Sequence, residues 1–226
     1  AFQDSGLESI KIPLSVKTFG HTRGTSTYGY TFSGCTDLVT VEFEDSTEES
    51  DALTWLGSNM FEGCTSLKSI LLPARLTSVP TAAFSGCTSL TTVGFAENSR
   101  IKQIGNTAFA NTKIASIDLP DGLEKLGGDT STTSYASAPF YRVATLTSIE
   151  LPASLTTVNP NSFSTGSSTG RNNLANIYVK EGNATFKAID GVLFSADGKK
   201  LVQYPFGRTA PSYTIPEGTE TVGAYA

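Results

Sequence analysis

The chain has 226 residues, of which 38% are hydrophobic and 16% charged, so it can bury the core of one or two domains or of a modest repeat array. Its net charge is −5, and no apolar run approaches the ~20 residues that span a bilayer, so neither a nucleic-acid partner nor membrane insertion is expected. Three cysteines exclude a fully paired disulfide framework, and a single histidine, His21, argues against a zinc site.

A phenylalanine-centred unit recurs along the chain. The pentapeptide FSGCT occupies residues 32–36 and 84–88, and FEGCT occupies 61–65. Recurrence at short spacing is typical of repeat architectures. The phenylalanines that anchor the units are Phe2, Phe32, Phe61, Phe84, Phe109, Phe140 and Phe163.

A short segment in which apolar and polar residues alternate follows each anchor. This period of two predicts a strand with one buried face. The segments are LESIKIP (7–13), LVTVEF (38–43), LKSILLP (67–73), LTTVGF (90–95), IASIDLP (114–120), LTSIELP (146–152), LANIYV (174–179) and an eighth, SYTIPEG (212–218). A second apolar group precedes several anchors, as LTSVP (76–80), IKQIG (101–105), LEKLG (123–127) and LTTVN (155–159).

The shortest cycle runs from Ile70 to Val93 and is too short to bury a core of its own. Stacked cycles can cover one another, so we predict a right-handed solenoid. A parallel sheet of eight short strands would form one face, and the phenylalanine-anchored turns would form the other. Adjacent coils should lie about 4.8 Å apart, which gives a slab roughly 34 Å long.

The three cysteines occupy the same place in successive cycles. Stacking would therefore align Cys35, Cys64 and Cys87 in one structural column, where cysteine acts as a small buried hydrophobe. Disulfide bridges are disfavoured because parallel stacking directs the Cβ vectors the same way. By offset from the anchors, the column continues through Ser5, Thr112, Val143 and Gly166.

The stretches AFSGCTSLTTV, LPARLTSVPTAAFSGCTSL and IDLPDGLEKLG resemble the BspA-type leucine-rich repeats of bacterial surface proteins. Residues 186–226 also resemble a unit common beside such arrays, a hairpin followed by a resumed repeat. The resemblance covers essentially the whole chain. It implies an α/β, strand-rich leucine-rich-repeat solenoid over residues 1–226, with irregular, 3-10 or short helical turns opposite the sheet. The first residues, AF, and the last, AYA, suggest a fragment of a longer array.

The resemblance also implies a secreted or cell-surface location in bacteria and a role in adhesion. The expected partner is an extracellular-matrix, plasma or other-cell surface protein, and a glycan is the alternative. A structural spacer is a further alternative. Exposed aromatic rings would favour a glycan, and Tyr28, Tyr30, Tyr135 and Tyr141 lie in or beside the long insertions.

A β-hairpin insertion is predicted at about 189–205. Two alternating segments flank Asp197 and Gly198, a dipeptide suited to the positive φ angles of a tight hairpin turn. The longest insertions between cycle elements lie at 20–30, 44–50, 127–139 and 164–172.

No catalytic site or cofactor is predicted. His21 lies in a Gly/Thr-rich loop without the context of a general base. The acidic stretch around residues 42–51 lacks the spacing of an EF-hand loop, so it is interpreted as solvated, with weak calcium binding as the alternative.

Two outward columns are expected on the strand face. The first is small and polar: Ser9, Thr40, Ser69, Thr92, Ser116, Ser148 and Asn176. The second varies chemically: Lys11, Glu42, Leu71, Gly94, Asp118, Glu150 and Tyr178. Solenoids use such extended faces for recognition. The hypothesis is that Lys11, Glu42, Leu71, Asp118, Glu150 and Tyr178 contact a protein partner, with Leu71 and Tyr178 as apolar anchors.

Overall fold

The computed structural model of the chain describes residues 1–19, 21–23, 26–44, 53–128, 138–159, 162–163 and 173–223. These residues form short strands joined by turns, and no helix occurs among them. The irregular form of the expected turns is therefore the one found there. In chain order the strands are β1 (Ser9–Ile12), β2 (His21–Arg23), β3 (Ser26–Tyr28), β4 (Thr40–Phe43), β5 (Ser69–Leu72), β6 (Ser78–Val79), β7 (Thr92–Phe95), β8 (Gln103–Ile104), β9 (Lys125–Leu126), β10 (Ser148–Leu151), β11 (Thr157–Val158), β12 (Asn176–Val179), β13 (Phe186–Ile189), β14 (Val192–Ser195), β15 (Lys200–Gln203) and β16 (Thr221–Val222).

Parallel strand pairs carry the strand face of the coils. They are β1 with β4, β5 with β7, and β10 with β12. Ile70 pairs with Val93, which confirms the shortest cycle. Ile70 and Leu72 are buried while Ser69 and Leu71 are exposed, so the alternation has the predicted phase.

The strand face is not one continuous sheet of eight strands. Residues 114–120 contain no strand, although Ile117 and Leu119 are buried as their alternation predicts. Residues 212–218 contain no strand either, so the eighth predicted strand is wrong. Apolar alternation decides which side chains point inward. A strand also needs a neighbouring coil at hydrogen-bonding distance, and alternation does not encode that distance.

A second parallel sheet forms where the second apolar group of each cycle stacks. Its strands have two residues each and follow the order β6, β8, β9, β11. Val79, Ile104 and Leu126 are aligned in it and buried. The sequence showed these apolar groups but not their pairing, so this hydrogen-bonded edge was not predicted.

The anchor phenylalanines form a stack through the core. From Phe2 to Phe140, successive rings are 5.3 to 5.8 Å apart between centroids, with interplanar angles of 5° to 12°. Phe84 is fully buried between the rings of Phe61 and Phe109. Near-parallel rings at this centroid spacing fall in the range of offset-stacked aromatic pairs, so each anchor from Phe32 to Phe109 contacts the coils before and after its own.

The turns around the anchors are also hydrogen-bonded from coil to coil. Phe61 and Gly63 donate their N–H groups to Ala83 and Ser85 of the next coil, at 2.9 and 2.8 Å. Gly63 has a φ of 74°, a left-handed conformation that glycine adopts without steric cost. The same position has positive φ in six coils, at Asp4, Gly34, Gly63, Gly86, Asn111 and Arg142.

The three cysteines are unpaired thiols, all buried, in consecutive coils. Each thiol donates a hydrogen bond to the anchor carbonyl of the preceding coil. Cys35, Cys64 and Cys87 contact the carbonyl oxygens of Phe2, Phe32 and Phe61 at 2.9, 3.1 and 3.1 Å. Cysteine here is therefore a donor as well as a small apolar group. Ser5, Thr112 and Val143 continue the column within the described residues, and Gly166 lies outside them.

The C-terminal part forms a sheet in the order β13, β14, β15, β16. The turn between β13 and β14 has positive φ at both Asp190 (49°) and Gly191 (74°), as a type I′ hairpin turn requires. At the turn between β14 and β15, Gly198 has positive φ and Asp197 does not, so the prediction for Asp197 is wrong. Four residues, 196–199, separate those strands, and the turn is closed by the N–H of Gly198, which donates to Ser195 at 2.8 Å.

Replacing a stacked ring should destabilise the array. We expect Phe84→Ala to lower the free energy of unfolding by about 3–5 kcal/mol, because a buried aromatic is truncated without collapse of the site. Phe206→Ala is the matched control, because Phe206 is 43% exposed. Urea denaturation followed by circular dichroism measures both. A loss below about 1 kcal/mol for Phe84→Ala would contradict the stacked arrangement.

The thiols should make stability fall in alkaline solution. Burial raises the pKa of Cys64 from 9.0 to about 12 and raises that of Cys87 further. Below about pH 9 these two thiols are protonated in the folded and the unfolded chain, so their contribution to the free energy of unfolding is fully present. Above that pH the thiols of the unfolded chain ionise first, so the free energy of unfolding falls as the pH rises towards about 12.

The measurement is the urea midpoint as a function of alkaline pH. A Cys64→Ala, Cys87→Ala variant should lose less stability over this interval than the unaltered chain. Equal losses in the two proteins would contradict the raised thiol pKa values.

Candidate interaction surface

The strand pairs place the two outward columns in register. Lys11 pairs with Glu42, Leu71 with Gly94, and Glu150 with Tyr178. The neighbouring column aligns Ser9 with Thr40, Ser69 with Thr92, and Ser148 with Asn176. Asp118 is also exposed, although its segment forms no strand. The candidate residues therefore share one face, which we call the strand face.

The first part of the strand face places one ammonium between two carboxylates. The Lys11 ammonium lies 3.0 Å from Glu44 Oε1 and 3.7 Å from Glu42 Oε1. Its hydrogen bond to Glu44 raises the pKa of Lys11 and lowers that of Glu44. Both partners are well exposed, so the ion pair contributes little to stability.

The middle of the strand face carries an exposed apolar side chain with room beside it. The Leu71 side chain is 61% exposed. Its Cδ1 would lie 3.1 Å from a Cβ at position 94, so the missing side chain of Gly94 leaves room for it on the next strand. A leucine held this way offers an apolar contact that the core does not require.

The last part is acidic and aromatic. Asp118 and Glu150 are exposed, and the Tyr178 side chain is 48% exposed. Lys180 donates to Asp121 at 2.7 Å. That bond chiefly raises the pKa of Lys180, with smaller contributions from Glu150 and Asp118. One ammonium is thus shared among several carboxylates, which leaves this end of the face negatively charged.

A groove of about 430 Å³ opens beside this end of the face. Glu150 and Tyr178 line one side, and Phe186 and Ala188 of β13 line the other. The loop between β12 and β13, including Asn183, closes one end. The groove depends on how β13 lies against β12, and this placement is not encoded in any local sequence pattern. The one signal in the sequence is the outward position of Tyr178 in its predicted strand.

Several hydroxyl groups that do not belong to the small polar column of the strand face link successive coils. Thr91, Thr145 and Ser154 donate to carbonyl oxygens of Lys68, Ile114 and Leu123, each in the preceding coil. Within the described residues, no such bond is made by the side chains of the first column. Ser9, Thr40, Ser69, Thr92 and Ser116 of that column are exposed, so their hydroxyls are accessible to a partner.

Most of the side chains considered for glycan binding, catalysis or calcium binding lie outside the described residues. Tyr30 is 40% exposed, and the Tyr141 ring lies 5.1 Å from the guanidinium of Arg142. Outside the described residues are Tyr135, Asp45, Glu48, Glu49, Asp51 and the side chains of His21 and Tyr28. In the part of the chain that is described, no group of three or more His, Cys, Asp or Glu is arranged around a metal position. No helix in that part has the length and hydrophobicity needed to cross a membrane.

The repeat geometry has counterparts among known proteins. The sequence model of the BspA type leucine-rich repeat region matches the chain in six copies, over residues 1–130 and 129–210. A leucine-rich repeat protein from Eubacterium ventriosum superposes with a TM-score of 0.64 at 24% identity, over 84% of this chain and 44% of that one. This superposition shows that the fold is that of a leucine-rich repeat array. No curated protein matches the chain significantly in sequence.

Other solved structures align with lower scores. The pneumococcal vaccine antigen PcpA aligns with a TM-score of 0.48 at 25% identity, over 96% of this chain and 42% of that one. The Treponema pallidum leucine-rich repeat protein aligns with a TM-score of 0.46 at 24% identity, over 58% and 55%. This chain spans less than two thirds of the length of each of the three proteins.

Truncation of two adjacent leucines should lower the free energy of unfolding by very different amounts. Leu71 is 61% exposed whereas Leu72 is fully buried. We expect Leu72→Ala to cost about 2–5 kcal/mol and Leu71→Ala less than about 1 kcal/mol of unfolding free energy. Urea denaturation of both variants measures the difference. A larger loss for Leu71→Ala would mean that the strand face is turned inward.

Proposed function

Since this chain belongs to the family of BspA-type leucine-rich repeat proteins, we propose that it is a non-catalytic interaction module of a bacterial surface or secreted protein. It binds a protein partner through the strand face. The partner is a protein of the extracellular matrix, of plasma or of another cell's surface. The family resemblance supports the extracellular location.

The observation that carries the proposal is the exposure of two large apolar side chains on the strand face, whose other outward residues are mostly small or polar. Leu71 and Tyr178 make outward contacts available without serving the core. Interfaces concentrate their binding energy in a few such anchors surrounded by polar groups. Asp118 and Glu150 lie between the two anchors along the column and supply charge for selectivity.

The chemistry of the described side chains supports a role without catalysis. The thiols are the strongest nucleophiles by type, but they are buried in the core. Burial raises the pKa values of Cys64 and Cys87, so these two thiols stay protonated near neutral pH, and a protonated thiol is a poor nucleophile. The side chains of the strand face are suited to binding.

A binding screen against extracellular-matrix proteins, plasma proteins and a glycan array tests the proposal. The first protein is the unaltered chain. The second carries Leu71→Ala, Asp118→Asn, Glu150→Gln and Tyr178→Ala, which together remove both anchors and both charges. A control carries Glu97→Gln and Lys125→Gln, because these exposed residues lie off the strand face.

We expect a protein partner whose binding is abolished in the fourfold variant and unchanged in the control. A partner retained by the folded fourfold variant would overturn the strand face as the site. Binding to glycans alone would favour a carbohydrate-binding module that uses exposed tyrosines such as Tyr30. No binding in either panel would favour the structural spacer.

A further inference from the structure

The groove beside Tyr178 lies between two strands that are neighbours without being paired. β12 pairs with β10, and β13 pairs with β14, but no ladder joins β12 to β13. Each of the two strands therefore has one side whose backbone is not used by its own sheet. Both of these sides border the groove, because Val179 of β12 and Ala188 of β13 line it.

The N–H groups along β12 point to alternate sides of the strand, and that of Val179 points towards the groove. Lys180 donates its N–H to Leu151 at 2.9 Å, on the β10 side. Ile177 donates its N–H to Gly191 at 2.9 Å, on the opposite side. Successive residues of a parallel strand alternate in this way, so the N–H of Val179 points away from β10. Within the described residues it has no acceptor.

Strand β13 also directs backbone groups away from its own sheet. Ala196 donates to the carbonyl of Thr185 at 2.8 Å, and the two-residue turn joins Ile189 to Val192. In an antiparallel ladder, hydrogen-bonded residue pairs alternate with pairs that exchange no hydrogen bond. Ile189 and Val192 flank the two-residue turn and form a bonded pair, so Ala188 and its partner Leu193 form a pair without hydrogen bonds. The N–H and C=O of Ala188 therefore face away from β14, and the described residues supply no partner for its N–H.

Hydrogen bonds fix both ends of the groove. Asn183 donates through Nδ2 to Pro152 and Leu155 of the preceding coil, at 2.9 and 3.0 Å. Its Oδ1 accepts from the N–H groups of Thr185 and Phe186, both at 2.8 Å. At the other end, Gly191 accepts from Ile177. The two edges are therefore fixed before any partner arrives, which lowers the ordering cost of binding.

The mouth of the groove is negatively charged and aromatic. Glu150 and Glu181 line it, and within the described residues neither carboxylate forms an ion pair. The lysines that line it are directed elsewhere. Lys180 pairs with Asp121, and the Lys187 ammonium lies over Gly198, within 2.7 Å of the place a Cβ would occupy. Tyr178 adds an exposed ring that can stack on a guanidinium.

We propose that this groove binds an extended basic segment of the partner protein by β-strand addition. The backbone of the segment bonds the outward N–H and C=O of Ala188, with Val179 as the facing contact. Alternate arginine or lysine side chains meet Glu150, Glu181 and the ring of Tyr178. Strand addition at an open edge supplies affinity from the backbone and selectivity from alternate side chains. The inference rests on the proposed function, because Glu150 and Tyr178 belong to both surfaces.

The probe is a capped heptapeptide in which arginine alternates with valine. Titration into nitrogen-15-labelled protein should shift the amide signals of Val179 and Ala188. An analogue N-methylated on every backbone amide should lose the shifts, because neither of its edges can then donate a hydrogen bond to a strand. A glutamate-for-arginine analogue should also bind at least fivefold more weakly. Absence of shifts at both amides, or equal binding of the N-methylated peptide, would overturn the inference.

A pair of variants separates hydrogen bonding from shape. Ala188→Pro removes the outward N–H and leaves the β14 ladder intact, whereas Ala188→Val keeps the N–H and adds bulk. We expect Ala188→Pro to weaken the arginine peptide roughly fivefold, the effect of one lost hydrogen bond, and Ala188→Val to bind as the unaltered chain does. Unfolded Ala188→Pro would be recognised by its amide spectrum, and the N-methylated peptide then decides the question alone.

The two proposals can fail separately. If a screened partner is lost in the fourfold variant but binds Ala188→Pro and Ala188→Val equally, the strand face stands and the groove inference is overturned. If the arginine peptide shifts Val179 and Ala188 but no protein partner is found in the screen, the groove stands and the proposed function fails.

Discussion

No coil of this protein can cover its own core, and every other feature depends on contact between successive coils. Hydrogen bonds enforce that contact in two directions. On the strand face, backbone N–H groups donate to the coil before, as Thr91 does to Lys68. Around the anchors they donate to the coil after, as Phe84 does to Ala108. Each inner coil is therefore fixed on both sides, and the stacked phenylalanines fill the space between these ladders.

This constraint explains why FSGC recurs. The phenylalanine stacks on the rings of neighbouring coils, the glycine adopts the left-handed conformation that directs its N–H to the next coil, and the cysteine thiol donates to the preceding anchor carbonyl. Substitution at these positions follows the same physical demands. Asn111 replaces the glycine in a conformation that asparagine tolerates, and Thr112 replaces the cysteine and donates to the carbonyl of Phe109, the anchor of its own coil.

Because stacking dictates the inward positions, chemical variety is left to the outward ones. The strand face changes along the array from an ion pair at Lys11, through the apolar Leu71, to the acidic and aromatic end at Glu150 and Tyr178. At that end the array meets the C-terminal sheet, and Asn183 hydrogen-bonds to both. The proposed protein-binding face and the proposed strand-addition groove therefore meet at Tyr178.

The sequence by itself determined the repeat, the phase of each alternating segment, the burial of the anchors from Phe32 to Phe163 and the exposure of Leu71 and Tyr178; the first anchor, Phe2, is 43% exposed. Those properties follow from periodicity, because a stack places equivalent residues in equivalent environments. Only the tertiary structure decided that residues 114–120 bury Ile117 without pairing as a strand, that two-residue strands build a second sheet, and that a groove separates β12 from β13. These features depend on the distance and angle between neighbouring backbones. Several remote contacts, such as those of Asn183, set that geometry together, and no local pattern encodes it.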